Sequence, residues 1–243
     1  MRTRHLAICL TAAMLCAGPA SAAENGLLAQ WTMDEIVAGV VPDASGRGHD
    51  ATVGPEGVQI EVVPGMIGKA LRLSEGQQTF LKVAKSQDFG LTRNITVMAW
   101  IKPAARNKTY EILCWKGDKS GNPPWPGWRF RFFWTRIAFE YGTADGQQPR
   151  ASSPEWSAPA GFWSHVAATF EGQTIRVYVN GIEKASAPGE GDILPNKSRP
   201  LIIANYIGRK DAYAFDGLLD DVKVFNRVLN EGEIFAEAAR GLP

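Results

Sequence analysis

Between Tyr110 and Tyr141 the chain concentrates the side chains best suited to holding a ligand. Trp115, Trp125, Trp128 and Trp134 fall close together, interleaved with Lys116, Arg129, Arg131 and Arg136. An indole offers a flat apolar plate, and a guanidinium offers several donors in one plane. Together they suit a ring with one apolar face and polar substituents on its edge, as sugars have. Trp115, Trp125, Arg129, Arg131 and Tyr141 are the candidates for such a patch, with Trp156 of the loop Ser152–Trp156 on its rim. A structural reading competes. Strand alternation puts Trp128, Phe130, Phe132 and Trp134 on one face, where core packing is expected, and Arg129, Arg131 and Phe133 on the other. The arginines then either grip a ligand or pair with acids on a solvated face. Trp125 sits in the proline-rich loop Gly121–Gly127, which cannot join a central strand, so core packing does not explain it.

A second cluster is rich in oxygen. Pro42-Asp43-Ala44-Ser45-Gly46-Arg47-Gly48-His49-Asp50 packs turn formers and side-chain acceptors into one short stretch. It reads either as a turn braced by Asx and Ser hydrogen bonds or as part of a calcium shell, since a hard cation wants several oxygens. The acidic spacing of an EF-hand is absent. In Phe215–Phe225, alternation puts Asp220 on the side of Leu218, Val222 and Val224. A carboxylate there needs a metal or the N–H groups of a nearby turn. His165 lies inside an apolar strand and reads as a packed histidine rather than a base. His49 is expected to be more exposed but structural. Cys114, in a strand-like setting, reads as a small buried hydrophobe.

The elements that position these residues are strands. Gly161–Ala187 is a three-stranded meander, HVAATF, TIRVYV and IEKAS, turned at Glu171-Gly172 and Asn180-Gly181. Asn-Gly favours a type I′ hairpin. Ile175, Val177 and Val179 should face the core. Further strands are expected at Leu27–Met33, 58–63, 69–73, Thr79–Val83, Ile95–Lys102 and Leu201–Ala204, with a short helical turn near Ser86–Gly90. A C-terminal helix is capped by Asn230, with Glu233 completing a capping box and Gly241 ending it.

At 243 residues, 45% hydrophobic and 21% charged, the chain suits one large all-β domain over residues 23–243. Residues 1–22 read as a secretory signal peptide: Arg2 and Arg4, the apolar run Leu6–Ala17, and the small residues Ala20-Ser21-Ala22. A secreted or periplasmic location follows, without membrane insertion after cleavage. Without Arg2 and Arg4 the formal charge turns from +1 to −1, which removes the drive for nucleic-acid binding. Cys9 and Cys16 leave with the signal, so no internal disulfide is expected.

Several motifs run in one order along the chain: Leu28-Ala29-x-Trp31-x-x-Asp34-Glu35, Asp43-x-Ser45-Gly46-x-Gly48-His49-Asp50, Gly68-Lys69-Ala70-Leu71 and Ile95–Pro103. Trp163-x-His165-Val166-Ala167, Tyr178-Val179-Asn180-Gly181 and Phe215–Val222 complete the series. Together they resemble the laminin-G-like domains of the concanavalin A-like lectin and glucanase superfamily. The resemblance implies an all-β, two-sheet antiparallel jelly-roll sandwich. It also implies a calcium between the N-terminal segment and the last strand, with Asp34, Asp43 and Asp220 as candidate ligands. The superfamily's endoglucanase pattern Glu-x-Asp-x-x-Glu is absent, and Gln59-Ile60 is followed by Glu61 rather than the histidine of its alginate lyases. No catalytic residue is assigned. The expected activity is binding of a polysaccharide or glycoconjugate glycan, with an extracellular protein partner as the alternative and an unfamiliar polysaccharide-degrading site third.

Overall fold

The computed structural model describes residues 25–104, 110–117, 123–206 and 213–242. The expected signal peptide, the loop Gly121–Asn122 and residues 207–212 therefore lie outside the described residues. The strands, in chain order, begin with β1 (Leu27–Trp31), β2 (Val40–Val41), β3 (Ala51–Gly54), β4 (Glu61–Pro64), β5 (Lys69–Leu73) and β6 (Phe80–Val83). Then come β7 (Asn94–Pro103), β8 (Tyr110–Gly117), β9 (Gly127–Phe133), β10 (Arg136–Tyr141) and β11 (Arg150–Ser152). β12 (Ser164–Glu171), β13 (Thr174–Val179), β14 (Ile182–Pro188), β15 (Leu201–Ile203) and β16 (Gly217–Phe225) precede the helix α1 (Glu231–Ala239).

These strands form two eight-stranded antiparallel sheets. The first runs β14-β13-β12-β7-β16-β5-β4, with β1 paired to the far half of β16; the second runs β11-β10-β9-β8-β15-β6-β3-β2. The expected all-β sandwich with a short C-terminal helix is what the chain forms. Alternation explains the shared core. Val97, Ala99, Ile101, Val166, Ala168, Phe170, Ile175, Val177 and Val179 of the first sheet meet Leu113, Trp128, Phe130, Phe132, Ile137 and Phe139 of the second. Each fully buried large apolar side chain contributes about 1.5–3 kcal/mol.

Two turns show how local chemistry fixes the frame. Asn180 and Gly181 both have positive φ (52° and 77°), as a type I′ turn between β13 and β14 demands. A Cβ at Gly181 would also press on the Phe235 backbone of α1 at 3.0 Å. At the N-terminus of α1, Asn230 accepts from Glu233 N, and the Glu233 side chain accepts from Asn230 N, completing the expected capping box. Arg227 holds Glu233 with both Nη atoms, at 3.0 and 2.7 Å. Gly241 follows, where a side chain would run into Met66 and the Trp100 indole.

The structure corrects two placements. Trp134 does not continue the aromatic core face: it forms, with Thr135, the tight turn between β9 and β10, has φ 58° and is 57% exposed. Asp220 does not share a side with Val222 and Val224. A bulge between Asp220 and Lys223, where Asp221 takes φ 42°, shifts the alternation by one residue. Leu219, Val222 and Val224 then face the core, while Asp220 pairs across from Trp100 on the outside of the first sheet.

Candidate functional site

The outer face of the second sheet gathers three of the expected ligand-binding residues. Trp115, Arg129 and Arg131 point away from the core, because their strand neighbours Cys114, Trp128, Phe130 and Phe132 point into it. Trp115 is 7% exposed, since Tyr206 stacks on it with ring centroids 4.1 Å apart and Tyr213 packs beside Tyr206 at 5.4 Å. The aromatic surface nearest solvent here is therefore that of the two half-buried tyrosines.

The arginines converge on Glu140, which strand register sets directly opposite Arg129. Arg129 Nη2 lies 2.8 Å from Glu140 Oε1, an ion pair off hydrogen-bond alignment, and Arg131 Nη2 donates to Oε2 at 2.8 Å. Arg150, across from Glu140 on β11, stands 3.5 Å from Oε2. Burial pushes the Glu140 carboxyl up, but Arg129 and Arg131 outweigh it and hold it below the usual range. Burial pushes Arg129 the other way, below its ordinary value, against the pull of Glu140. Phe133 on the same face carries the guanidinium of Arg150 at 4.0 Å and that of Arg131 at 4.9 Å from its ring centroid.

The other candidates lie elsewhere. Tyr141 belongs to the core: it continues the inward series Ile137, Phe139, packs on Phe170 at 4.5 Å and donates its hydroxyl to Gly191 O. Trp125 sits half-buried where its backbone touches Gly142, at the β9 end remote from the Trp134 turn. Trp156 is 57% exposed at the opposite end, its N–H bonded to Thr135 O, so it and Trp134 share one rim. Glu140, Arg150, Phe133, Tyr206 and Tyr213 were missed. The register of a hairpin turned at Trp134-Thr135 pairs 129 with 140, and that was the available signal.

The three metal candidates do not converge. Asp43 braces its own turn: Oδ1 accepts from Gln30 N and Ser45 N, and Oδ2 from His49 N and Ser45 Oγ. Burial raises its carboxyl, but these donors more than compensate and its pKa is lowered. His49 is buried rather than exposed, with Nδ1 3.0 Å from Leu28 O and Nε2 3.1 Å from Asp88. Asp34 and Asp220 instead grip one turn, Gly65–Gly68. Asp34 Oδ1 accepts from Lys69 N, and Asp220 Oδ2 accepts from Met66 N and Ile67 N. The turn N–H groups thus partner Asp220 as one of the two expected ways. Its Oδ1 is buried with no hydrogen-bond partner, and burial raises its pKa to about 7. Among the described residues no group of three or more His, Cys, Asp or Glu side chains forms a metal shell. None of their helices is long and apolar enough to cross a membrane.

Two antiparallel sheets packed face to face, with one outer face set with aromatic and cationic side chains, define a two-sheet β-sandwich. A family model described as the concanavalin A-like lectin/glucanases superfamily matches residues 75–235, and the chain belongs to that family. It is similar to domain 4 of AbnA, a GH43 extracellular arabinanase from Geobacillus stearothermophilus, solved in complex with arabinotriose. The identity is 21% and the TM-score 0.66, covering 87% of this chain and 98% of that one. It is also similar to the binding domain of Paraclostridial mosquitocidal protein 1, at 16% identity and TM-score 0.67, covering 88% of this chain and 52% of that one. It is similar too to botulinum neurotoxin type C, whose cell entry depends on interaction with two ganglioside molecules, at 15% identity and TM-score 0.65, covering 90% of this chain and 52% of that one. The chain spans about half the length of these two toxin chains. No curated protein matches it in sequence.

Proposed function

We propose that the chain is a secreted, non-catalytic glycan-binding module that takes its ligand on the outer face of the second sheet. The observation that carries this is the assembly of Tyr206, Tyr213 and Phe133 with Arg129, Arg131 and Arg150 on one face. Ring faces and planar donors are what a sugar requires. The arabinanase domain solved with arabinotriose supports the reading, as does the neurotoxin whose entry depends on gangliosides. Secretion is supported by the basic, apolar and small-residue succession at residues 1–22.

Calcium enters this reading as a stabiliser of the Gly65–Gly68 turn. Asp220 Oδ1 has no hydrogen-bond partner there and Asp34 stands on the same turn. Asp43, with both oxygens already accepting from donors, is not assigned. A bound cation would relieve the repulsion between Asp220 and Asp34 and complete the buried oxygen's coordination.

Affinity electrophoresis of the mature chain through gels of plant, algal and bacterial polysaccharides, with calcium and with chelator, tests both. Retardation by at least one glycan is expected, weakened in Trp156→Ala if the rim takes part. Melting should occur at lower temperature in chelator for the natural chain but not for Asp34→Asn. Free passage through every gel would overturn the glycan reading in favour of a protein partner.

A further inference from the structure

Beside α1 the first sheet carries a row of polar groups whose pairing is unfinished. Trp100 on β7 stands across from Asp220 on β16 and from His165 on β12, all three facing outward. Trp100 is 3% exposed, and its Nε1 is buried with no hydrogen-bond partner, although Asp220 Oδ1 and His165 Nδ1 are unpaired as well. His165 meets the indole edge-on instead, with ring centroids 5.4 Å apart. The ring edge that carries Nε1 runs along Gly241, where an added Cβ would stand 3.2 Å from Cε2, the atom bonded to Nε1. A buried donor without an acceptor bears the full penalty of its lost hydration.

A cavity of about 250 Å³ opens at the same place. Met66, Trp100, Trp163, Phe235 and Leu242 wall it, and Phe235 and Leu242, 58% and 60% exposed, flank its mouth. Its depth comes from α1. Gly181 lets the helix sit close at Phe235, while Ala238 and Ala239, a turn further on, fill little of the space beside Trp100. Among the described residues no charged side chain lines the cavity. The lining side chains offer the indole N–H groups of Trp100 and Trp163, donors only, and the Asn180 amide, whose Oδ1 already accepts from His165 N. A sugar would bring more hydroxyls than these groups can pair, and an ion would find no counter-charge. A flat apolar ring with a single acceptor suits both the walls and the donor. About 150 Å³ of apolar cavity takes benzene, so about 250 Å³ admits one substituted ring or two fused ones.

We infer that this cavity is a second ligand site, on the opposite sheet from the face proposed for glycans. It takes a small uncharged aromatic carbonyl compound whose oxygen accepts from Trp100 Nε1 while its ring lies among Met66, Trp163 and Phe235.

Titration of the mature, isotope-labelled chain with acetophenone, followed by NMR of its eight indole N–H groups, tests it. The Trp100 resonance, assigned through its own backbone and confirmed by its absence in Trp100→Phe, should move downfield and saturate as its proton gains an acceptor. Benzoate, a similar ring whose charge the cavity cannot compensate, should bind at least about tenfold more weakly. Glucose at the same concentrations should leave the resonance where it is. Ala239→Leu keeps a strong helix former at an exposed position but fills the cavity, and should weaken acetophenone at least about tenfold. No saturable downfield movement, movement unchanged in Ala239→Leu, or benzoate bound as tightly would overturn the inference. Glucose moving the resonance as acetophenone does would overturn it too and make the cavity a sugar site.

Discussion

On the first sheet, the outward residues Met98, Ala167, Tyr178 and Phe225 are roofed by Leu27, Leu229 and Ile234, with α1 lying across them. On the second sheet, the outward residues Arg129, Arg131 and Arg150 gather about Glu140, and among the described residues no helix covers them. Both faces carry buried charge, but the accounts differ. Under α1, Lys223 meets Glu237 at 2.8 Å and Asp221 at 3.8 Å, and Arg240 joins Asp221 and Glu237 at 3.2 and 3.0 Å, so two cations face two carboxylates. On the second sheet three guanidiniums gather about the carboxylate of Glu140. Charge under a helix is a way to hold the roof; on the unroofed face the same kind of ion pairs leaves aromatic and guanidinium groups at the surface.

The largest effect should come from breaking the roof. Ile234 is fully buried against the sheet, so Ile234→Ala is expected to cost about 2–4 kcal/mol in urea unfolding. Trp134→Ala, on the exposed β9–β10 turn, should cost less than about 0.5 kcal/mol despite removing a larger side chain. Similar costs for the two would mean that α1 is an ornament and the two faces are alike.

Much of this arrangement was legible in the chain, for reasons that separate cleanly from those that hid the rest. Alternation located the inward sets of β7, β9 and β13, because both flanking faces have clear partners, apolar inside and polar or helix-covered outside. Asn180-Gly181 and the Asn230 to Glu233 box were readable because each solves a local backbone problem without help from distant residues. The site was harder. Trp134 looked like a strand residue by chemistry, and taking it so hid the register that brings Glu140 to Arg129. Tyr141 has the inward parity of Ile137 and Phe139, a signal outweighed by its aromatic suitability for a ligand. Asp220 was misplaced by a bulge, which moves one residue out of step and carries no residue type that announces it.

A medium effect distinguishes two buried groups that oppose each other on the first sheet. Burial raises Asp220 to about 7 from an ordinary 3.8, with Asp221 and Asp34 nearby adding to the rise. Burial lowers His165 to about 4 from an ordinary 6.5, Glu237 opposing and Lys223 and Arg240 assisting. For Asp220 the folded state holds a proton that the unfolded state has released, so its contribution to stability is lost as pH rises from about 4 through 7. For His165 the unfolded state takes the proton first, so stability is lost as pH falls from about 6.5 toward 4. Each slope is bounded at about 1.4 kcal/mol per pH unit, and in the natural chain they largely cancel. In chelator, Asp220→Asn should therefore gain stability with rising pH across this window, and His165→Gln should lose it. Parallel pH profiles for the two variants would remove both assignments.

The smallest effect is a rate of modification rather than a stability. Cys114 is 1% exposed on β8, facing the core beside Phe130, and burial pushes its thiol well above the usual range. The thiolate is the reactive form, so a folded chain should resist alkylation until it opens. Opening on the second sheet, next to the unroofed face, can be local or global. If β8 and β9 open together only on global unfolding, the labelling rate of Cys114 should rise with urea as steeply as the unfolding constant does. Ile234→Ala, on the opposite sheet, should then accelerate it in proportion to the lost stability. If labelling is fast and indifferent to Ile234→Ala, the second sheet opens independently of the first, and the proposed binding face rests on a frame that moves without disturbing the helix-covered one.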